Sequence, residues 1–197
     1  MKTITFVTGN TKKVGSLKRH LHALGVAAEV VQEDLEIIEP QADSAREVAL
    51  SKARQAYAQL SRPLVVDDSS FHINALGGFP GPYVKYMITT IGAKGIIKFM
   101  KGQTNRQAYF TSYLVYIDEQ GAEHVFEDDP FKGTIVDSID TITHKDEWSP
   151  LWKIFIAEGE TEVLGRLTDE QWAVINEKRA QADSYMKFCD WYRTNGC

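Results

Sequence analysis

Asp67 and Asp68 stand side by side after the apolar run Leu64-Val65-Val66. Adjacent carboxylates in an extended chain point to opposite sides, so one can hold a cation while the other reaches a water molecule. Magnesium is held through one or two carboxylates together with phosphate oxygens and water, and the C-terminal end of a strand is where open α/β sheets place their ligands. The same pair could also do no more than cap a turn. A second constellation is Thr8-Gly9-Asn10-Thr11-Lys12-Lys13, which ends one apolar run and opens a helical pattern. Unpaired N–H groups at a helix start, a glycine that admits close backbone approach and two lysines are the parts of an anion site. It is no Walker A loop, since GxxxxGK[ST] is absent, and an ordinary strand-to-helix turn has the same look. Glu39, in Ile37-Ile38-Glu39-Pro40-Gln41, offers a further carboxylate, and Lys52 places a positive charge among apolar residues. The histidines His20, His22, His72, His124 and His144 show neither HxxxH nor HExxH spacing, which argues against zinc. Neither GxSxG nor a cysteine–histidine pattern points to covalent catalysis. The chemistry left is attack by water assisted by a metal ion.

These residues must be positioned by regular elements. Ile4 to Val7 reads as a buried strand, followed by a helix with Val14, Leu17, His20, Leu21 and Leu24 on one face and Gly25 as its stop. Ala28 to Val31 reads as a second strand. Residues 44–60 form a helix with Ser44 as N-cap and Glu47 at capping-box spacing, and Val48, Ala49, Lys52, Ala53, Ala56 and Leu60 share one side. Pro63 opens a strand over Leu64-Val65-Val66 that ends in the acidic pair. Gly77-Gly78-Phe79-Pro80-Gly81-Pro82 is a rigid irregular loop with Pro82 placed to start a helix, and Ile91 to Met100 is helical. Ala108 to Ile117 and Ala122 to Phe126 flank Asp118-Glu119-Gln120-Gly121 as a hairpin. Phe131 to Ile142 supplies one or two strands and Lys153 to Ile156 a short one. Thr168 onward reads as one helix to about Arg193. Early alternation of strands and helices followed by a meander predicts an α/β protein with a mixed sheet, one domain in two lobes over residues 1–197.

The whole chain excludes several classes. Its 197 residues carry 43% hydrophobic and 25% charged side chains, ordinary for a globular fold. A net charge of −5 argues against polymeric nucleic acid as a partner, because phosphate backbones are bound by basic surfaces. Cys189 and Cys197 have no CxxC spacing and suit a reducing compartment. The start MKTITFVTG is too short an apolar run for a signal peptide, and no run long enough to span a membrane occurs. The expectation is a cytoplasmic protein without a membrane partner.

Three blocks give the sequence a specific likeness. Phe6-Val7-Thr8-Gly9-Asn10-Thr11-Lys12-Lys13, Leu64-Val65-Val66-Asp67-Asp68-Ser69-Ser70 and Asn74-Ala75-Leu76-Gly77-Gly78-Phe79-Pro80-Gly81-Pro82-Tyr83 resemble, in order and spacing, the phosphate loop, metal-binding strand and glycine-proline loop of the inosine triphosphate pyrophosphatases. That resemblance implies an elongated mixed β-sheet shared by two lobes with flanking helices, an active-site cleft between the lobes, and a homodimer. It implies a magnesium-dependent hydrolase that converts an ITP-, dITP- or XTP-like nucleoside triphosphate to its monophosphate and pyrophosphate. By motif position, Thr8, Asn10 and Lys13 would bind phosphate, and Glu39, Asp67 and Asp68 would hold Mg2+. Asp67 and Asp68 would also orient or deprotonate the attacking water, with Asp68 favoured as the base, and Lys52 would contact phosphate or the acidic cluster.

The second half departs from the family pattern. Asp146-Glu147-Trp148-Ser149-Pro150 stands where the family has Phe-Gly-Tyr/Trp-Asp-Pro, so Trp148 falls at the base-stacking position, with Trp152 as the alternative if the segment slips, and either could be a core residue. Ser149 replaces an aspartate. Asn176, Glu177 and Lys178 stand where the family reads the purine with Ser-His-Arg, and Trp172 replaces a lysine. The reaction is therefore carried over more firmly than the base, and a nucleotide-binding relative with altered base specificity or no turnover is the alternative.

Overall fold

The computed structural model describes residues 2–145 and 147–196. Met1, Asp146 (the first residue of the segment aligned above with the stacking motif) and Cys197 lie outside the described residues. The strands are β1 (Lys2–Val7), β2 (Ala28–Glu33), β3 (Leu64–Ile73), β4 (Pro80–Gly81), β5 (Gln107–Ile117), β6 (Glu123–Glu127), β7 (Phe131–Ile135) and β8 (Phe155–Ala157). The helices are α1 (Thr11–Ala23), α2 (Ala45–Leu60), α3 (Val84–Thr90), α4 (Gly92–Phe99), α5 (Asp169–Arg179) and α6 (Ser184–Asn195). The strand order is β2-β1-β3-β5-β7-β8, with β4 on β3 and β6 on β5. β1 is parallel to β2 and β3, whereas β5 is antiparallel to β6 and β7. The class is mixed α/β with an open mixed sheet.

The chain forms two compact units, the first of Met1–Asp68, Ser112–Asp129 and Ala180–Cys197, the second of Ser69–Thr111 and Pro130–Arg179. In the first unit the period-two pattern of the strands sorts side chains between two cores. Ile4, Phe6 and Val65 pack with Val14, Leu17 and Leu21 of α1 and with Phe188 and Tyr192 of α6. Val7, Leu64 and Val66 pack with Ala49, Ala53 and Ala56 of α2. Asn10 caps α1 by accepting from the Lys12 N–H, and Ser44 caps α2 by accepting from the Glu47 N–H. Gly25 follows α1 in the left-handed region at φ 65°, a conformation that glycine adopts without strain. In the second unit Phe71, Ile73, Met87, Ile96, Trp152, Phe155 and Leu164 form the core.

Several sequence expectations change. β3 does not stop at Val66 but continues to Ile73. Its parallel pairing with β1 reaches only Val65, and its far end pairs antiparallel with β4 through Phe71 and His72. Asp67 and Asp68 thus lie inside an extended strand, just beyond the last residue paired to β1, and neither caps a turn. The helix expected from Thr168 to Arg193 is two helices, because Asp183 accepts from the N–H groups of Tyr185 and Met186 and starts α6 afresh. Of the one or two strands expected over Phe131 to Ile142, one forms, β7. The strand expected at Lys153 begins at Phe155, after a tight turn over Pro150–Lys153. Pro82 falls two residues before α3, whose N-cap is Tyr83.

Candidate active site

The alternation that sorts the core also sorts the acidic pair. Asp67 lies two residues beyond Val65 and turns to the α1 and α6 side; Asp68 lies two beyond Val66 and turns to α2. Both are buried. Asp67 accepts from Lys13 Nζ at Oδ1, 2.9 Å, and from the Tyr185 hydroxyl at Oδ2, 2.7 Å. Asp68 Oδ1 accepts from Lys52 Nζ at 3.0 Å, and the same ammonium reaches Glu39 Oε1 at 3.2 Å and the Asp67 carbonyl oxygen at 3.4 Å. Lys52 is one helical turn beyond Val48 and Ala49 on the buried side of α2, which is why its charge emerges at the strand rather than in open solvent.

Glu39 owes its place to Gln55, one turn further along α2 than Lys52. The Gln55 amide donates to the Ile38 carbonyl at 2.8 Å and accepts the Ile38 N–H at 3.1 Å. This two-bond clasp pins the irregular segment before α2, and the next residue reaches Lys52. Sequence reasoning did not single out Gln55, nor Gln32, whose amide donates to the Thr8 carbonyl at 2.8 Å. Thr8 Oγ1 accepts from the Asn10 N–H, and Asn10 Oδ1 is the α1 cap. The hydroxyl and amide oxygens expected to bind phosphate therefore also shape the loop. Tyr185 was missed as well. The buried face of Tyr185, Phe188, Cys189 and Tyr192 is readable as helical periodicity, but nothing local says that its hydroxyl meets a residue 118 positions away.

The charges set one another's titration. Burial pulls the Lys52 ammonium down, but the charge and hydrogen bond of Asp68, then Glu39 and Asp67, outweigh it and hold it above the ordinary lysine value. Burial pushes the Asp68 carboxyl above the usual carboxylate range, and Lys52 and Lys13 pull it back only in part. Lys52 thus stays protonated beside a carboxylate that is a stronger base than an exposed aspartate. Tyr185, wholly buried and facing Asp67, is raised well above the ordinary tyrosine value and remains a donor.

An ammonium drawn in where two carboxylates converge marks a site organised for positive charge, and hard carboxylate oxygens are the donors magnesium prefers. Among the described residues no group of three or more His, Cys, Asp or Glu side chains makes a complete metal cage. The protein's share of a magnesium shell would be one or two carboxylates.

The remaining expected residues belong to the second unit. Trp148 is 50% exposed and meets Phe110 and Trp152 edge-on, at ring-centre distances of 5.2 and 5.9 Å. Trp152 is fully buried and packs at 4.6 Å on Trp172, so the alternative stacking residue is a core residue. Ser149 is buried and accepts from the Leu151 N–H, starting the tight turn that carries Trp152. Lys178 lies in the last turn of α5 and, like Asn176 and Glu177, is exposed.

A model of the Ham1 family matches residues 4–188. The chain belongs to the Ham1 family. Among relatives of this Ham1 chain, a protein of Methanopyrus kandleri named dITP/XTP pyrophosphatase is 34% identical over 192 residues, covering 98% of this chain and 97% of that one. A protein of the same name from Thermococcus kodakarensis is 33% identical, with 98% of each chain covered. Of solved structures, a HAM1 protein from Coxiella burnetii superposes with a TM-score of 0.81 at 18% identity, covering 98% of this chain and 100% of that one. That likeness carries the fold.

Proposed function

We propose that this Ham1 protein is a nucleoside triphosphate pyrophosphatase that cuts dITP-, ITP- or XTP-like substrates to the monophosphate and pyrophosphate. The observation that carries the reading is the 34% identity, along 98% of the chain, to a relative named dITP/XTP pyrophosphatase. The geometry supports the same chemistry. Asp68 is buried and its carboxylate is held in place by the Lys52 ammonium at 3.0 Å, which suits a group that orients and deprotonates an attacking water. As water bonds to the α-phosphorus, the bond to the bridging oxygen breaks and pyrophosphate leaves with its electrons. Lys13 and Lys52 supply positive charge toward that leaving group. Mg2+, when bound, would neutralise phosphate charge, held by Asp68 and Glu39 from the acidic group that also includes Asp67. Thr8 and Asn10 would present the loop to phosphate, and Trp148 and Lys178 would meet the base.

The resemblance in the first half of the sequence also supports a homodimer, and the buried free thiol of Cys189 suits a reducing cytoplasm. Among the described residues no helix is long and apolar enough to cross a membrane.

The test is a magnesium-dependent screen of nucleoside triphosphates scored for pyrophosphate against orthophosphate, with sedimentation of the same sample. Pyrophosphate from inosine or xanthosine triphosphates well above that from ATP and GTP is the expected result. Nucleotide binding with no pyrophosphate from any triphosphate would overturn catalysis.

A further inference from the structure

Asp67 and Asp68 are neighbours in sequence but differ in what can reach them. The Asp67 side chain is 3% exposed, against 12% for Asp68 and 54% for Glu39. Both Asp67 oxygens are already engaged from opposite ends, Oδ1 by the Lys13 ammonium and Oδ2 by the Tyr185 hydroxyl. The Tyr185 ring is fixed by packing against Phe6 of β1, at 6.1 Å between centres, and His20 of α1, at 5.8 Å. Its backbone is fixed by the Asp183 cap of α6. The hydroxyl is therefore a rigid donor, and Asp67 has one orientation in which it meets both partners.

We propose that Tyr185 is a positioning residue, which locks Asp67 so that Asp67 serves as an anchor for the Lys13 ammonium at the phosphate loop and not as a ligand of the cation. This rests on the reading that the Thr8–Lys13 loop receives a triphosphate. An ammonium carries three donors, and one is given to Asp67. The Lys13 side chain is 30% exposed, so the others can face a phosphate oxygen. Without the tyrosine hydroxyl, Asp67 is free to rotate, both its oxygens can turn toward Lys13, and the ammonium is drawn inward from the loop. The acidic pair then divides its labour by strand face, with Asp67 setting phosphate affinity and Asp68, with Glu39, setting the cation requirement.

The experiment compares Tyr185→Phe, Asp67→Asn and Asp68→Asn with the wild type. For each it measures KM and kcat on the best triphosphate, the Mg2+ concentration for half-maximal rate, tripolyphosphate binding by calorimetry in EDTA, and the melting temperature. Tyr185→Phe should weaken metal-free tripolyphosphate binding and raise KM by about tenfold, the scale of one hydrogen bond to a charged group, with a much smaller change in kcat. Asp67→Asn should do the same and leave the half-saturating Mg2+ unchanged, whereas Asp68→Asn should raise it. Wild-type tripolyphosphate affinity in Tyr185→Phe, even with a lowered melting temperature, overturns the proposal and makes the tyrosine a packing residue. If Tyr185→Phe does not fold, Asp67→Asn decides: a shift in half-saturating Mg2+ as large as that of Asp68→Asn overturns the anchor role. Failure of the wild type to bind tripolyphosphate or release pyrophosphate rejects the functional reading itself, a distinct result.

Discussion

At the scale of single residues, a one-position step along β3 changes the job of a carboxylate. Asp68 faces Lys52 and Glu39 and is, on the proposed function, the group on which proton removal from water would fall. Asp68→Asn keeps the shape and one acceptor oxygen while removing the base. It should lower kcat by about 10²-fold or more, the usual worth of a positioned general base, with a melting temperature near that of the wild type; a turnover assay beside thermal unfolding checks this. The tryptophans separate in the same way. Trp152 is fully buried within the second unit's core, so Trp152→Ala should cost about 3–5 kcal/mol of stability. Trp148 is half exposed and meets Phe110 and Trp152 edge-on, so Trp148→Ala should raise KM for the nucleotide with little loss of stability. The reverse pattern in kinetics and denaturant melts would exchange their roles.

At the scale of elements, the start of α6 concentrates several of the first unit's polar contacts. Asp183 caps the helix, Tyr185 leaves its first turn toward Asp67, and Asp128 accepts the Ser184 N–H at 2.5 Å. Burial, and then the charge of Asp183, push the Asp128 carboxyl above the usual range, with Ser184 and Ser112 offsetting only part. Because the folded-state value lies above the unfolded one, protonated Asp128 stabilises the fold fully below about pH 4, and that contribution is lost as pH rises through the raised value. Asp128→Asn has no proton to lose and retains an acceptor oxygen. It should be more stable than wild type at pH 7, and the two should converge at about pH 4 and below. Thermal unfolding at both pH values reads the difference.

At the scale of the whole molecule, neither compact unit is a continuous stretch of chain. The first returns to the β5–β6 hairpin after the first visit to the second unit, and to α6 after the second visit. A chain ending at Asp129 would lack Tyr185, Phe188, Cys189 and Tyr192 and leave Leu17, Leu21 and Val65 without that side of their core. Such a truncation should show no cooperative thermal transition by circular dichroism. A cooperative transition would mean that α1, α2 and the strands form a stable core alone. Folding of the first unit therefore requires contacts between segments far apart in the chain, which is expected to slow it relative to a fold built from local contacts.

Much was legible without coordinates because it depends on residues within a turn or a strand step of one another. The Asn10 loop, the Ser44 cap, the apolar faces of β1, α1 and α2, the hairpin at Asp118–Gly121 and the acidic pair all follow from local periodicity and capping chemistry. Residue type alone makes Glu39 and Lys52 candidates, and it is the folded chain that brings them into hydrogen-bond contact. The tertiary structure alone divided Asp67 from Asp68, brought Tyr185 to the first of them, assigned Gln55 to the segment before α2, broke the last helix at Asp183 and buried Trp152 while leaving Trp148 half open. Each of those outcomes depends on which distant surface a side chain meets. A hydroxyl 118 positions from its acceptor leaves no trace in local pattern, since hydrogen-bond energy depends on final geometry and not on spacing along the chain.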